Sequence, residues 1–184
     1  MSEMPEQRET LDGFQLEPTP GEYDPAELLE AFHSTEQASP VEQYCVFRSG
    51  RERFCLPVLD VEEVVEWPLV TRLPLAPAYV MGIFNLRGTI VPLIDIALTE
   101  GRRPGLLPKH VVVAVLRSEE QHEELRIGIA SDEVVGTYSV TQEAILEQAP
   151  ENIPYCVGML RHEDRLALMI DLRRLLEVFP GPAI

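Results

Sequence analysis

Two eighteen-residue stretches, YVMGIFNLRGTIVPLIDI (79–96) and YCVGMLRHEDRLALMIDL (155–172), superimpose without a gap at an offset of 76 residues. Tyr79 falls on Tyr155, Gly82 on Gly158 and Asp95 on Asp171, and apolar positions stay apolar. Each copy is an apolar run broken midway by a short polar turn, the pattern of strand, turn and strand. A shared turn glycine and an unbroken apolar register mark two similar β-units, each supplying half a core. Upstream, EEVV (62–65) echoes DEVV (132–135) with a different spacing to the glycine.

The remaining pattern is also dominated by strands. YCVFRSGRERFCLPV (44–58) gives two β-rich runs around a Ser49-Gly50 turn, and VEEVVEW (61–67) is β-branched with interleaved acids. LPLAPAY (73–79) is loop; HVVVAVL (110–116), LRIGIA (125–130) and VVGTYSV (134–140) read as further strands. Helices are expected only at TQEAILEQA (141–149), with Thr141 as N-cap, and at DLRRLLEVF (171–179). Many short strands separated by Gly and Pro turns indicate a sandwich or barrel.

Charge separates the first forty residues from the rest. They hold ten Asp or Glu against the single base Arg8, a net −9 of the chain's −16. Residues 1–40 therefore read as an acidic, largely disordered extension. Within it, DPAELLEAFH (24–33) has Asp24 at a helix N-cap and Pro25 at the first helical position, with Leu28, Leu29 and Phe32 on one face. That short helix either rests on its own domain or frays, or it is a docking motif for a partner groove. The domain proper spans 41–179, divided near 100–110.

The acidic balance disfavours nucleic acid and anionic membrane surfaces, both of which call for a basic patch. No apolar run approaches the roughly 20 residues that cross a bilayer, and the first residues carry no secretory pattern. Cys45, Cys55 and Cys156 have apolar neighbours and no metal-ligand spacing, so they are read as buried reduced thiols of a cytoplasmic protein.

No catalytic constellation emerges. His33, His110, His122 and His162 are scattered, and no nucleophile elbow or phosphate-binding loop is present. Asp95 and Asp171 close apolar strands at equivalent repeat positions, which suits capping rather than acid–base work. No catalytic, cofactor-binding or metal residue is assigned, and the chain reads as a non-enzyme.

The two copies differ in their turns. The second carries RHED (161–164), a plain solvated tip, whereas the first carries NLRG, with Asn85, Arg87 and Gly88. The fold needs a turn there but not this arginine, which points to function. In VEEVVEW, alternation places Val61, Glu63 and Val65 on one face, so Glu63 lies on the more apolar side and needs a cation. Arg87 is the expected partner, and Arg72 the alternative. Such a pair would hold a guanidinium in a fixed direction at a binding surface.

YVMGIFNLRGTIVPLIDI closely resembles the signature of CheW-like domains, the coupling proteins of bacterial chemosensory arrays. VEEVVEWPLVTRLPLAPAYVMG before it, and GIASDEVVGTYSVTQEAI and YCVGMLRHEDRLALMIDLRRLL after it, follow the family layout in order over about residues 42–178. The resemblance implies a mainly β fold of two five-stranded SH3-like β-barrel subdomains sharing a hydrophobic core, with few short helices. It implies a non-catalytic scaffold, without cofactor, that ties the cytoplasmic tips of chemoreceptors (methyl-accepting chemotaxis proteins) to the regulatory domain of the histidine kinase CheA. Receptor contact would centre on the subdomain groove and on Glu63, Gly82, Asn85 and Arg87; kinase contact would use an apolar patch including Val61. Localisation would be cytoplasmic, at membrane-associated arrays through partners and without membrane insertion. The alternative is an accessory CheW-like adaptor of a twitching-motility or other chemosensory system, recruiting a separate partner through residues 1–40.

Two features depart from the family pattern. The acidic extension lies outside the domain. Ser131 stands where an aliphatic residue usually precedes the Asp.

Overall fold

The computed structural model describes residues 41–97, 107–117 and 124–179, all within one compact unit, Ser39–Ile184. Its strands are β1 (Val41–Ser49), β2 (Glu52–Pro57), β3 (Val61–Glu66), β4 (Val80–Leu86), β5 (Thr89–Ile94), β6 (His110–Arg117), β7 (Glu124–Ser131), β8 (Glu133–Thr141), β9 (Ile145–Leu146), β10 (Cys156–His162) and β11 (Arg165–Ile170). A helix, α1 (Leu172–Val178), follows the last strand. The first sheet has the order β3-β6-β7-β5-β4 and the second β8-β1-β2-β11-β10-β9. The sheets do not follow the sequence halves. Hairpin β1–β2 joins the sheet of the second half, and β6–β7 joins that of the first, so each half lends its opening hairpin to the other.

The repeat is reproduced residue for residue. In β4–β5, Gly82 pairs with Leu93 after a bulge at Val80/Gly82; in β10–β11, Gly158 pairs with Met169 after a bulge at Cys156/Gly158. The correspondence extends beyond the stretch visible in sequence. Leu93 pairs with Gly128 of β7, and Met169 with Cys55 of β2, which makes β7 the counterpart of β2. It follows that β6 corresponds to β1 and β3 to β8. Val61 opposes Ala114 and Glu63 opposes Val113 across one bulge; Val134 opposes Phe47 and Gly136 opposes Val46 across the same bulge. Glu63 is therefore equivalent to Gly136. The EEVV/DEVV echo, which would align Glu63 with Glu133, is out of structural register by three residues.

Three buried clusters explain the apolar runs. Phe84, Val91, Leu93, Val111, Val113 and Ala130 fill the inner face of the first sheet. Tyr44, Val46, Cys55, Val140, Leu160 and Ala167 fill that of the second. A third cluster, including Phe47, Phe54, Ile94, Val112, Ile127, Tyr155, Ile170 and Phe179, lies between the sheets. In β6, Val111 and Val113 thus enter one core while Val112 and Ala114 enter another. A strand with both faces buried reads as a continuous hydrophobic run, and each fully buried Val or Ile contributes about 1.5–3 kcal/mol.

Each sheet is curled so that its edges are consecutive pieces of chain. After β3 the backbone runs on to Thr71, which exchanges two hydrogen bonds with Ile83 of β4 (2.8 and 2.9 Å). After β8 it runs on to β9, where Ile145 and Leu146 pair with Leu160 and Met159 of β10; this short piece brings the second sheet's strand count to six. The repeat glycines permit both approaches. A Cβ on Gly82, whose φ is 143°, would run into the Thr71 carbonyl oxygen; one on Gly158 would lie 2.6 Å from that of Leu146.

The same pairing overrides the expected helix over 141–149. Only a 3-10 turn (Gln142–Ala144) forms, without a side-chain cap from Thr141, before the chain enters β9. Sheet pairing supplies backbone partners there that helix propensity alone cannot match. At 171–179 the helix forms as expected: Asp171 accepts hydrogen bonds from the Arg173 and Arg174 amides (2.8 and 3.0 Å). Its repeat mate Asp95 accepts one from Ala97 N (3.0 Å). The first hairpin turns one residue later than expected, at Gly50–Arg51. Ser131, polar where an aliphatic residue was expected, is buried, and its single hydroxyl proton is shared between the Arg48 and Glu133 carbonyls (3.1 and 3.0 Å).

Candidate docking site

The β4–β5 turn consists of Arg87 and Gly88, with φ of 49° and 94°. Positive φ at both central residues matches the type I′ turn, whose twist suits a two-residue hairpin. Asn85 supports it by accepting a hydrogen bond at Oδ1 from Gly88 N (2.7 Å). The guanidinium is thereby set at the tip of a rigid hairpin.

Glu63 reaches this tip from β3. Arg87 Nη2 donates to Glu63 Oε2 at 2.9 Å; the arginine side chain is 80% exposed and the glutamate 21%. The expected pairing thus forms, and Arg72 takes no part in it. An exposed pair contributes little to stability, but it restricts the directions the guanidinium can take. Neither partner recurs in the second repeat, where Gly136 replaces Glu63 and Glu163 replaces Arg87.

The other sequence-selected residues are placed differently. Gly82 is buried five residues back along β4, where it accommodates the Thr71 segment rather than facing solvent. Val61 is half-buried against the core between the sheets, whereas Val64 on β3 and Ile90 on β5, opposite Asn85, are 39% and 50% exposed. Leu28, Leu29 and Phe32 lie outside the described residues.

The sequence reading missed a second ionic chain on the first sheet. Arg126 Nε donates to Glu62 Oε2 (2.6 Å) and Arg126 Nη2 to Glu124 Oε2 (2.8 Å), while Arg117 Nη1 donates to the Leu59 carbonyl (2.7 Å). The hydrogen bond from Arg126 to Glu62 raises the arginine pKa further. The only sequence signal was the doubled acid Glu62-Glu63: β3 bulges between Val61 and Glu63, and the two carboxylates take separate arginines.

Between the sheets lies a cleft of about 400 Å³ lined by Pro57, Asp60, Leu116, Arg117, Val157 and Asp171 among others. Burial raises the Asp60 pKa; Arg117 opposes that shift and Asp171 adds to it. The cleft and the Arg87 hairpin share no lining residue. Among the described residues no cluster of His, Cys, Asp or Glu could hold a metal ion, and no helix is long and apolar enough to cross a membrane.

A duplicated β domain of this kind, two curled sheets around a common core with its distinctive ion pair turned outward, is the architecture of a docking module. Residues 43–179 match the CheW-like domain family, and the chain belongs to it. It is 31% identical over 135 residues to a probable chemotaxis protein CheW of Rhizobium etli, covering 70% of this chain and 83% of that protein. It is 30% identical over 148 residues to chemotaxis protein CheW of Helicobacter pylori, covering 77% and 86%. Protein PilI of Pseudomonas aeruginosa is 32% identical over 104 residues, 56% of each chain. In fold, the chain is similar to the scaffolding protein TtCheW of Thermoanaerobacter tengcongensis, with a TM-score of 0.62 at 24% identity, covering 74% of this chain and 88% of that one. The mainly β architecture of two sheets around a shared core agrees with this likeness.

Proposed function

We propose that the protein is a non-catalytic scaffold coupling chemoreceptor cytoplasmic tips to the regulatory domain of the histidine kinase CheA in a chemosensory array. The observation that carries this reading is the Glu63–Arg87 pair, a directed guanidinium at an exposed hairpin tip in one repeat only. Arg87, with Glu63 and Asn85 as its supports, would meet the receptor, and Gly82 would act through the strand geometry beneath them. The kinase would dock on the apolar surface that begins at Val61 and includes the more exposed Val64. The protein would do no chemistry; it would transmit a shift in receptor packing through paired surfaces. It would reside in the cytoplasm and reach the membrane-associated array through these partners.

The domain would span 41–179, preceded by an acidic extension over 1–40. The similarity to PilI of Pseudomonas aeruginosa and FrzA of Myxococcus xanthus allows a second reading. In it, the same domain serves as an accessory adaptor, and the extension recruits a separate partner through Leu28, Leu29 and Phe32.

Co-sedimentation with receptor cytoplasmic fragments and CheA tests the first reading. The full chain should pellet with both together. Binding to neither partner would remove the coupling function while leaving the fold intact.

A further inference from the structure

The second barrel holds, beside its β10–β11 hairpin tip, a cavity of about 140 Å³ that its counterpart explains. Its floor is Val46, Leu160 and Ala167 of the second sheet's own core. Its rim carries Arg53 of β2 and Arg165 at the β11 hairpin tip, with Val135 of β8 beside them. Tyr138 stacks on His162 at 3.9 Å between ring centroids and forms one wall. A barrel mouth with an apolar floor and a few convergent polar groups is a common ligand site.

The repeat correspondence that pairs Gly128 with Cys55 makes Arg53 equivalent to Arg126, and the shared bulge makes Val135 equivalent to Glu62. In the first barrel, Arg126 is bound by Glu62 at 2.6 Å and by Glu124. In the second, the place of Glu62 is taken by Val135 and that of Glu124 by Arg51. Among the described residues Arg53 forms no ion pair, and the residue directly opposite it on β1 is Arg48, a like charge already held by Asp132 and Glu133. Arg165 and Glu163, on the same rim, form no ion pair with another described residue either. In a chain of net charge −16, these two arginines stand at one apolar-floored mouth without a carboxylate partner among the described residues.

We propose that this mouth binds an acidic segment of a partner protein: a glutamate or aspartate carboxylate placed between Arg53 and Arg165, with an adjacent apolar side chain on the Val46–Leu160–Ala167 floor. The arginine fork recognises a carboxylate through paired hydrogen bonds. The intramolecular Glu62–Arg126 pair of the first barrel shows the geometry the incoming carboxylate would adopt. The cavity admits one small apolar side chain, which makes the recognised unit an acid next to a residue of the size of valine or leucine.

The test uses the full chain and a fluorescently labelled hexapeptide of alternating glutamate and leucine, with the glutamine–leucine peptide as control. The acidic peptide should bind, more weakly as salt rises, and the neutral one should bind at least about tenfold more weakly. Arg53→Gln and Arg165→Gln should each weaken binding by about tenfold, with melting unchanged. Val135→Glu should rebuild the internal pair and abolish binding. The proposal is overturned if both peptides bind alike, or if Arg53→Gln binds as the parent does. It is likewise overturned if free acetate displaces the peptide at equal concentration, or if sedimentation shows that a second copy of the chain occupies the mouth.

Discussion

Arg87 and Glu163 occupy the same place in the two repeats, each opening a two-residue hairpin turn, with φ of 49° and 53°. The left-handed backbone is thus a property of the duplicated turn, and the strain is not a mark of function at Arg87. What differs is the charge and its partner. Because a non-glycine residue is disfavoured in this region, Glu163→Gly should stabilise the domain by about 1 kcal/mol after the entropic cost of glycine. Arg87→Gly should gain a similar amount less the small contribution of its exposed ion pair. Urea unfolding of both variants checks this; destabilisation of Glu163→Gly would contradict it.

The ion pair itself should be nearly silent in stability. With Arg87 80% exposed, Glu63→Ala and Arg87→Ala should each change unfolding free energy by less than about 1 kcal/mol. Both should lose receptor co-sedimentation more than CheA co-sedimentation. Unfolding of either variant would return the pair to a purely structural role.

Gly82 should behave in the opposite way. A side chain there meets the Thr71 carbonyl and Val70, and Gly158 meets Leu146 in the other repeat. Gly82→Ala and Gly158→Ala should each destabilise the fold by about 1–3 kcal/mol through overpacking, with Gly82→Ala the worse because its φ is also positive. Thermal melting distinguishes this from a contact role, in which Gly82→Ala would melt like the parent and lose only binding.

These contrasts show how far the sequence could be read. The ungapped repeat disclosed the β4–β5 and β10–β11 hairpins because adjacent strands keep their register in the sequence itself. Exchange of β1–β2 and β6–β7 between the halves left no local signal, since a strand's neighbours across a sheet are not encoded in its own alternation. The true counterpart of Glu63 was hidden because the segment from Glu63 to Gly82 is three residues shorter than that from Gly136 to Gly158, so the ungapped offset of the repeat does not reach these strands and only the ladder aligns them. The Glu63–Arg87 pair was legible because alternation left one acid on an apolar face and the turn offered one cation. Arg126 lay on a distant strand with nothing local to link it to Glu62. The helix expected at 141–149 failed where Ile145 and Leu146 were needed to pair with β10.

The cleft between the sheets should make stability depend on pH through Asp60. Burial raises the carboxyl pKa in the folded state, and Asp171 adds to the shift against the opposing effect of Arg117. A group whose folded pKa exceeds its unfolded value contributes stability that is present below the unfolded pKa and lost as pH rises through the folded one. Asp60→Asn should therefore stabilise the domain at neutral pH, with the advantage shrinking below about pH 4, where the unfolded carboxyl is also protonated. Urea midpoints of parent and variant across pH 3–7 measure it; a constant difference would show that the two side chains differ for reasons other than titration.

The buried thiols give the last expectation. Cys45, Cys55 and Cys156 are buried, and burial, reinforced by Cys156 and Cys45, pushes the Cys55 thiol up to about 12. Since the thiolate is the nucleophile, a thiol reagent at pH 8 should label Cys55 only through opening of the domain, and far faster in denaturant. The same shift carries a sign: the protonated thiol is favoured by folding, so its contribution is intact below the unfolded pKa of 9 and is lost as pH climbs toward about 12. Cys55→Ala should flatten the alkaline limb of the stability profile while enlarging a cavity in the second sheet's core, at a cost that is independent of pH. Rapid labelling of Cys55 in the native protein would show that the second barrel opens at its core, and would contradict the closed sheet on which β9 and Gly158 depend.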